Sequence, residues 1–191
     1  MEIPNIIVKF KKLVDSAVIP TYAHDGDIGM DMYCTSIEYD EEHDLYKYHT
    51  GLAIETSEEY GVLLFARSSN VKQDVYLPNS VGIIDSAIYR GELIFCYKSR
   101  ISLFERSNIV GLKSFMKALA EGLTPQEAMI KAEESKHIVQ DLTRKLEFAP
   151  YKIGDRIGQM VAFPRNLINA IQVNELSKTV RGEGGFGSTG K

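Results

Sequence analysis

At the start of the chain Ile6, Val8 and Phe10 alternate with Ile7, Lys9 and Lys11. A period of two predicts a strand with one buried face. Two short apolar runs, Gly51-Leu52-Ala53-Ile54-Glu55-Thr56 and Gly61-Val62-Leu63-Leu64-Phe65-Ala66, flank a Ser-Glu-Glu-Tyr turn and predict two more strands. The stretch from Asn79 to Asp85 runs apolar into an aspartate. After Tyr89-Arg90-Gly91-Glu92 the chain returns through Leu93 to Tyr97, which predicts a hairpin with polar groups at its mouth. Strand pattern resumes between Ile153 and Phe163, and Ile171 and Val173 are expected to close the core.

Beyond Arg100 the apolar spacing changes to three and four. Leu112, Phe115, Met116, Leu119 and Leu123 fall on one face of a predicted helix. Thr124-Pro125-Gln126-Glu127 is a capping box with proline at the first helical position. Ala128, Ala132, Ser135, Val139, Leu142 and Leu146 then define a second helix that ends before Pro150. The pair reads as a helical hairpin inserted into an otherwise all-β chain, packing on the protein's own body or meeting a protein partner. This divides the chain into a discontinuous β domain (1–104 and 149–178), a helical insert (105–148) and a glycine-rich C-terminal segment (179–191).

Composition narrows the class. With 44% hydrophobic residues among 191, one globular core is within reach and disorder is not the default. A net charge of −4 repels polyanions, so general nucleic-acid or anionic-membrane binding is not expected, and any phosphate ligand must be met by local donors. Cys34 and Cys96 lack C-x-x-C spacing and read as small core residues in a reducing compartment, with a single disulfide as the alternative. Neither a leader pattern nor a bilayer-length apolar run is present, so a soluble, unprocessed protein is expected.

Candidate chemistry is densest between Arg181 and Gly190. Glycines there let backbone N–H groups turn towards an anion; Arg181, Ser188 and Thr189 suit phosphate oxygens, and Phe186 offers a face for a nucleobase. The stretch is a nucleotide clamp or a solvated tail. Asp25, Asp27 and Asp31 fall within seven positions around Gly26 and Gly29 and could serve a hard cation such as Mg²⁺, or only solvate a turn. Arg67-Ser68-Ser69 at a strand end offers phosphate donors. Asp85, directly after Ile83 and Ile84, is expected to be partly desolvated, which raises a carboxyl's pKa and makes it a proton acceptor; the alternative is a turn cap.

In this order the segments resemble the five motifs of the trimeric deoxyuridine triphosphatase (dUTPase) family: Gly29-Met30-Asp31, Arg67-Ser68-Ser69, Asn79 through Gly91, Gly154-Asp155-Arg156-Ile157-Gly158-Gln159, and Arg181 to Gly190. The resemblance covers the chain outside the helical insert. It implies a jelly-roll-like β barrel or sandwich and a homotrimer with active sites shared between subunits. The implied reaction is hydrolysis of dUTP to dUMP and pyrophosphate with Mg²⁺, in the cytoplasm of a cell or of a virus- or phage-infected host. Asp85 would be the catalytic base for water attack on the α-phosphorus. Asn79 and the hairpin backbone around Gly82 would read uracil, and Tyr89 would pack under the deoxyribose. Arg67, Ser68, Ser69 and Gln159 would hold phosphates, and Asp31 would reach Mg²⁺ through water. Phe186 with Gly187 would cover the base, and Arg181, Ser188 and Thr189 the terminal phosphates.

Two departures stand out. Three residues, Ser86-Ala87-Ile88, separate Asp85 from Tyr89 where the family places two, and a β-bulge is expected to absorb the third. The insert enlarges the connection between the third and fourth motifs. The competing readings are a deoxycytidine triphosphate deaminase relative and a nucleotide-binding regulator that meets a protein partner through the insert.

Overall fold

A computed structural model of the chain describes residues 6–100, 103–140, 146 and 149–180. In chain order the strands are β1 (Lys9–Lys12), β2 (Met30–Tyr33), β3 (Ser36–Asp40), β4 (Leu45–His49), β5 (Leu52–Glu55), β6 (Tyr60–Phe65), β7 (Val75–Tyr76), β8 (Gly82–Ile84) and β9 (Ile94–Ser99). Helices α1 (Leu103–Ala120) and α2 (Pro125–Gln140) follow, and then β10 (Arg156–Pro164). Among the described residues all strand pairing is antiparallel: a ribbon of β1 and β5, a sheet in the order β2-β10-β6-β8, and a sheet in the order β3-β4-β9-β7. This is the jelly-roll-like all-β fold with two helices.

Alternation decides which side chains fill the interior. In β4 Tyr46 and Tyr48 are buried between half-buried neighbours, and in β9 Phe95 and Tyr97 are; the register sets Tyr46 opposite Tyr97 and Tyr48 opposite Phe95. They join Met32, Leu52, Ile54, Val62, Leu64, Ile157 and Met160 in one core. Tyrosine can line it because its polar tips are satisfied there. The Tyr97 hydroxyl donates to the Ile157 carbonyl at 2.7 Å, tying one sheet to the other, and the Tyr48 oxygen accepts from the Tyr151 amide at 3.3 Å. Gly158 is required by the same contact, since a Cβ there would overlap the Phe95 ring. Burial pushes the Cys34 thiol up to about 11, helped by the charge of Asp155, and both cysteines are free.

Several expectations are corrected. Residues 79–97 do not form a hairpin: β8 pairs with β6 and β9 with β4 and β7, so the chain crosses from one sheet to the other. The crossing is one helical turn, in which the amides of Ile88 and Tyr89 both donate to the Asp85 carbonyl, at 2.9 and 2.8 Å. The third residue between Asp85 and Tyr89 completes that turn rather than a bulge. Ile171 and Val173 do not close the core; they are 75% and 55% exposed, and Leu167, Ile168 and Leu176 are exposed with them. Pro164 ends β10, and among the described residues no strand follows it to cover these side chains.

The capping box forms as read: the Thr124 amide donates to Glu127 Oε2 at 2.9 Å and the Glu127 amide to Thr124 Oγ1 at 3.3 Å. The helix faces do not match the prediction. Leu112 and Met116 are turned to solvent, and Ser107, Gly111 and Ala118 are buried on the α1 side of a seam with Ala128 and Ala132 of α2. Small residues let the backbones approach closely enough for Ser107 to donate to the Lys136 carbonyl and Ser135 to Ser114, which an aliphatic seam would forbid. Of the second helix's predicted face, Leu146 is exposed, and Val139 and Leu142 lie outside the described side chains. Among the described side chains, none of either helix belongs to the β core. The chain at the two ends of the pair is nonetheless tied to one loop: the Arg100 amide donates to the Asp74 carbonyl at 3.1 Å, and the Tyr151 hydroxyl to Asn70 Oδ1 at 2.8 Å. No described helix is long and apolar enough to cross a membrane.

Candidate functional site

Strand order assembles the first cluster. β10 lies between β2 and β6, so Gln159 stands opposite Asp31 on one side and Phe65 on the other, with Arg67 two residues beyond Phe65. Asp31 is buried, its side chain 6% exposed, and both of its oxygens are engaged. Oδ1 accepts from Arg67 Nε at 2.8 Å and from Gln159 Nε2 at 3.5 Å, and Oδ2 from Arg156 Nη1 at 3.0 Å. Residues 156 and 159 would project to opposite faces of a regular strand; the pairing with β2 slips between Arg156 and Gly158, and this irregularity lets both reach one carboxylate. Gly29 leaves room for Gln159, whose Cβ would stand 3.2 Å from a side chain there.

Two guanidiniums around one carboxylate leave a net positive charge. Arg67, 20% exposed, also donates from Nη1 to Ser69 Oγ at 3.3 Å; Ser68 is exposed beside it at the start of a short 3₁₀ turn (Ser68–Lys72). The turn is held from behind by Asn70, whose Nδ2 donates to the Val75 carbonyl at 2.8 Å while its Oδ1 accepts from Tyr151. The cluster can receive an anion with several oxygens. An ion placed directly on the Asp31 oxygens would stand against two positive charges, so these oxygens are unsuited to direct metal coordination. Asp27 is a turn cap that accepts from the His24 amide at 2.9 Å, and among the described residues no group of three or more His, Cys, Asp or Glu is arranged to hold a metal.

The second cluster surrounds Asp85. Its carboxylate is exposed, not partly desolvated as expected, because β8 is an edge strand and the turn after it projects outward. It borders a cavity of about 410 Å³ lined also by Tyr60, Ile83, Ile84, Phe163 and Arg165. Tyr89 folds over Gly91, where any side chain would collide with its ring, and its hydroxyl donates to the Glu92 carbonyl at 3.1 Å. Asn79 is exposed before β8, next to Ser80 at φ 60°, and Gly82 pairs with Leu64. Arg181, Phe186, Gly187, Ser188 and Thr189 lie outside the described residues.

The two clusters do not meet within the chain. Ile84 pairs with Val62, which sets Asp85 level with Gly61, whereas Arg67 lies six residues further on, in extended backbone two residues past the end of β6. At 3.2–3.4 Å per residue that separation is about 20 Å. Sequence reading did not single out Arg156 as part of the cluster. Its three-residue spacing from Gln159 gave no reason to, since the slip in pairing that unites them leaves no local signature.

No family model matches the chain. It is 30% identical over 184 residues to the deoxyuridine 5'-triphosphate nucleotidohydrolase of Alkaliphilus metalliredigens, with 96% of each chain covered. To the enzyme of that name from Clostridioides difficile it is 33% identical over 184 residues, covering 96% of this chain and 97% of the relative. Among solved structures, the Staphylococcus bacteriophage 80alpha dUTPase with dUpNHpp superposes with a TM-score of 0.59 at 21% identity, over 97% of this chain and 99% of that one. The dUTPase of phage phi11 of S. aureus, described as having a species-specific insert, superposes with a TM-score of 0.54 at 18% identity, over 91% and 99%. The last two likenesses establish the fold.

Proposed function

The chain belongs to the deoxyuridine 5'-triphosphate nucleotidohydrolase (dUTPase) family, and we propose that it hydrolyses dUTP at sites shared between three copies of itself, with Asp85 as the base. The products are dUMP and pyrophosphate. Water oxygen attacks the α-phosphorus, the bond to the oxygen bridging α- and β-phosphorus breaks, and the water's proton passes to the Asp85 carboxylate.

The observation that carries the shared site is the separation of Asp85 from Arg67 by about 20 Å along β6. A base acting at the α-phosphorus must lie beside the donors that hold the phosphates, and a triphosphate is far too short to span the gap. Asp85 of one copy therefore works with Arg67, Ser68, Ser69 and Gln159 of another, and Arg156 joins this phosphate set. The exposed apolar run from Leu167 to Leu176 supplies surface for such assembly. Asn79 and the backbone at Gly82 read the uracil edge, and Tyr89 supports the deoxyribose. The C-terminal Arg181, Phe186, Gly187, Ser188 and Thr189 cover the bound nucleotide, as their glycine, phosphate-donor and aromatic chemistry suits. Mg²⁺ would enter with the nucleotide, reached by Asp31 through water, and would offset charge on the phosphates.

Pyrophosphate release measured in parallel with dUTP, dTTP, dCTP and UTP, with and without Mg²⁺, tests the reading: only dUTP is turned over efficiently. Ammonia release from dCTP would transfer the chain to the deaminase reading. Asp85→Asn keeps nucleotide binding and loses about 10²–10⁴-fold in turnover, the usual contribution of a general base. A variant with near-normal turnover would remove Asp85 from that role. The solvent-facing Leu112 and Met116 of α1 favour a second role in meeting a protein partner, one that catalysis neither requires nor excludes.

A further inference from the structure

Arg90 has no part in the substrate contacts above, yet its guanidinium is the most heavily used in the chain's second cluster. Nη1 donates to the carbonyls of Ser86 and Tyr89, each at 3.0 Å, and Nη2 to that of Ala87 at 2.9 Å. These are carbonyls of the single helical turn that begins at Asp85. A turn this short gives its last carbonyls no amide partners within the turn itself and concentrates partial negative charge at its end. The planar fork of arginine meets three of them at once, which the compact ammonium of lysine could not match.

The fork is itself anchored. Arg90 Nη2 lies 3.1 Å from Glu55 Oε2, and Glu55 Oε1 lies 2.6 Å from Lys9 Nζ, so the turn is tied to the ribbon of β5 and β1. On its inner side the same turn is pinned by the buried Ser86, whose hydroxyl lies 2.6 Å from that of Thr56 and whose carbonyl also accepts from the Thr56 amide at 3.3 Å. Thr56 directly follows Glu55, so both attachments reach the end of β5. Asp85, exposed at the edge of its sheet, has the turn as its support.

We propose that Arg90, held by Glu55, is a positioning residue for Asp85: it closes the helical turn made by the additional residue between Asp85 and Tyr89, and so fixes the direction of the carboxylate. This rests on the reading of Asp85 as the base. The experiment compares wild type, Arg90→Ala, Arg90→Lys and Glu55→Gln by hydrogen exchange of a peptide spanning residues 85–91 and by dUTP turnover. In Arg90→Ala the amides of Ile88 and Tyr89 exchange about tenfold faster or more, the equivalent of losing one charge-assisted hydrogen bond. Its kcat falls by up to about 10²-fold, the cost of a small misplacement of a reacting group, while KM for dUTP is little changed. Arg90→Lys recovers little of either loss, and Glu55→Gln, which keeps the guanidinium, lies between and serves if Arg90→Ala does not fold. Unchanged exchange in Arg90→Ala, or faster exchange with full kcat, overturns the proposal. A wild-type chain without dUTP turnover, or a fully active Asp85→Asn, instead overturns the reading of Asp85, and the positioning role with it.

Discussion

Replacing Asp31 by Asn separates a structural carboxylate from a metal-binding one, because the two roles have opposite consequences in the absence of any ligand. Asp31 accepts from Arg67 at 2.8 Å and from Arg156 at 3.0 Å, and its side chain is 6% exposed. Asparagine keeps the shape but turns one acceptor into a donor, so one arginine loses its partner and meets an N–H instead. Hydrogen bonds to charged groups contribute about 1.5–3 kcal/mol each. The Arg156 bond belongs at the low end of that range, since its side chain is 46% exposed and competes with water. The expected loss is about 3 kcal/mol, consistent with the 3–5 kcal/mol typical of breaking a buried pair. For a chain of this size that lowers Tm by roughly 6–12 °C. The assay is urea and thermal unfolding of both proteins in chelator without nucleotide. A carboxylate waiting for a directly bound cation would be relieved by neutralisation, so an Asn variant as stable as the wild type, or more so, would refute the clamp.

Gly158→Ala drives a methyl group into the buried Phe95 ring and should cost about 1–3 kcal/mol of stability; because Gln159 is the next residue, KM for dUTP should rise with it, and a variant with wild-type Tm would show that the sheets separate freely here. Replacing residues 107–147 by a short Gly/Ser linker should leave dUTP hydrolysis intact, because no described side chain of α1 or α2 enters the β core and the Arg100 and Tyr151 ties lie outside the replaced stretch; loss of soluble, active protein would make the helices structural. Stability should decline at alkaline pH. Cys34 ionises near its ordinary 9.0 when unfolded but only at about 11 when folded, and burial raises Tyr48 and Tyr97 in the same direction. The unfolded chain therefore releases protons first, and the stability present below pH 9 is lost as pH rises towards 11. Urea midpoints between pH 8 and 11 measure this, and a flat profile would contradict the burial of these groups.

Local chemistry was legible in the sequence wherever a feature is decided by neighbours along the chain. The apolar runs in 51–56 and 61–66, the box at Thr124–Glu127 and the hydroxyl pair after Arg67 all act within a few residues, and they stand in the structure as strands, a helix start and a short 3₁₀ turn. The all-β class followed from the same patterns.

What the pattern could not carry is which strand lies beside which. Periodicity says that a segment has a buried face but not what covers it. Only the position of β10 between β2 and β6 turns Asp31, Arg67, Arg156 and Gln159 into one cluster, and only a slip in pairing brings Arg156 to it. The predicted apolar face of α1 lost to a seam of Ser, Gly and Ala because close backbone approach with hydrogen bonds outweighs the burial of a few side chains that another surface can cover. Adjacent motifs in sequence were likewise not adjacent in space: Asp85 and Arg67 are only eighteen residues apart along the chain, yet the antiparallel register of β8 on β6 sends them to opposite ends of one strand. Residue types thus declared the chemistry of each cluster, while long-range strand pairing, which no local period encodes, decided that the two clusters stand apart within one chain.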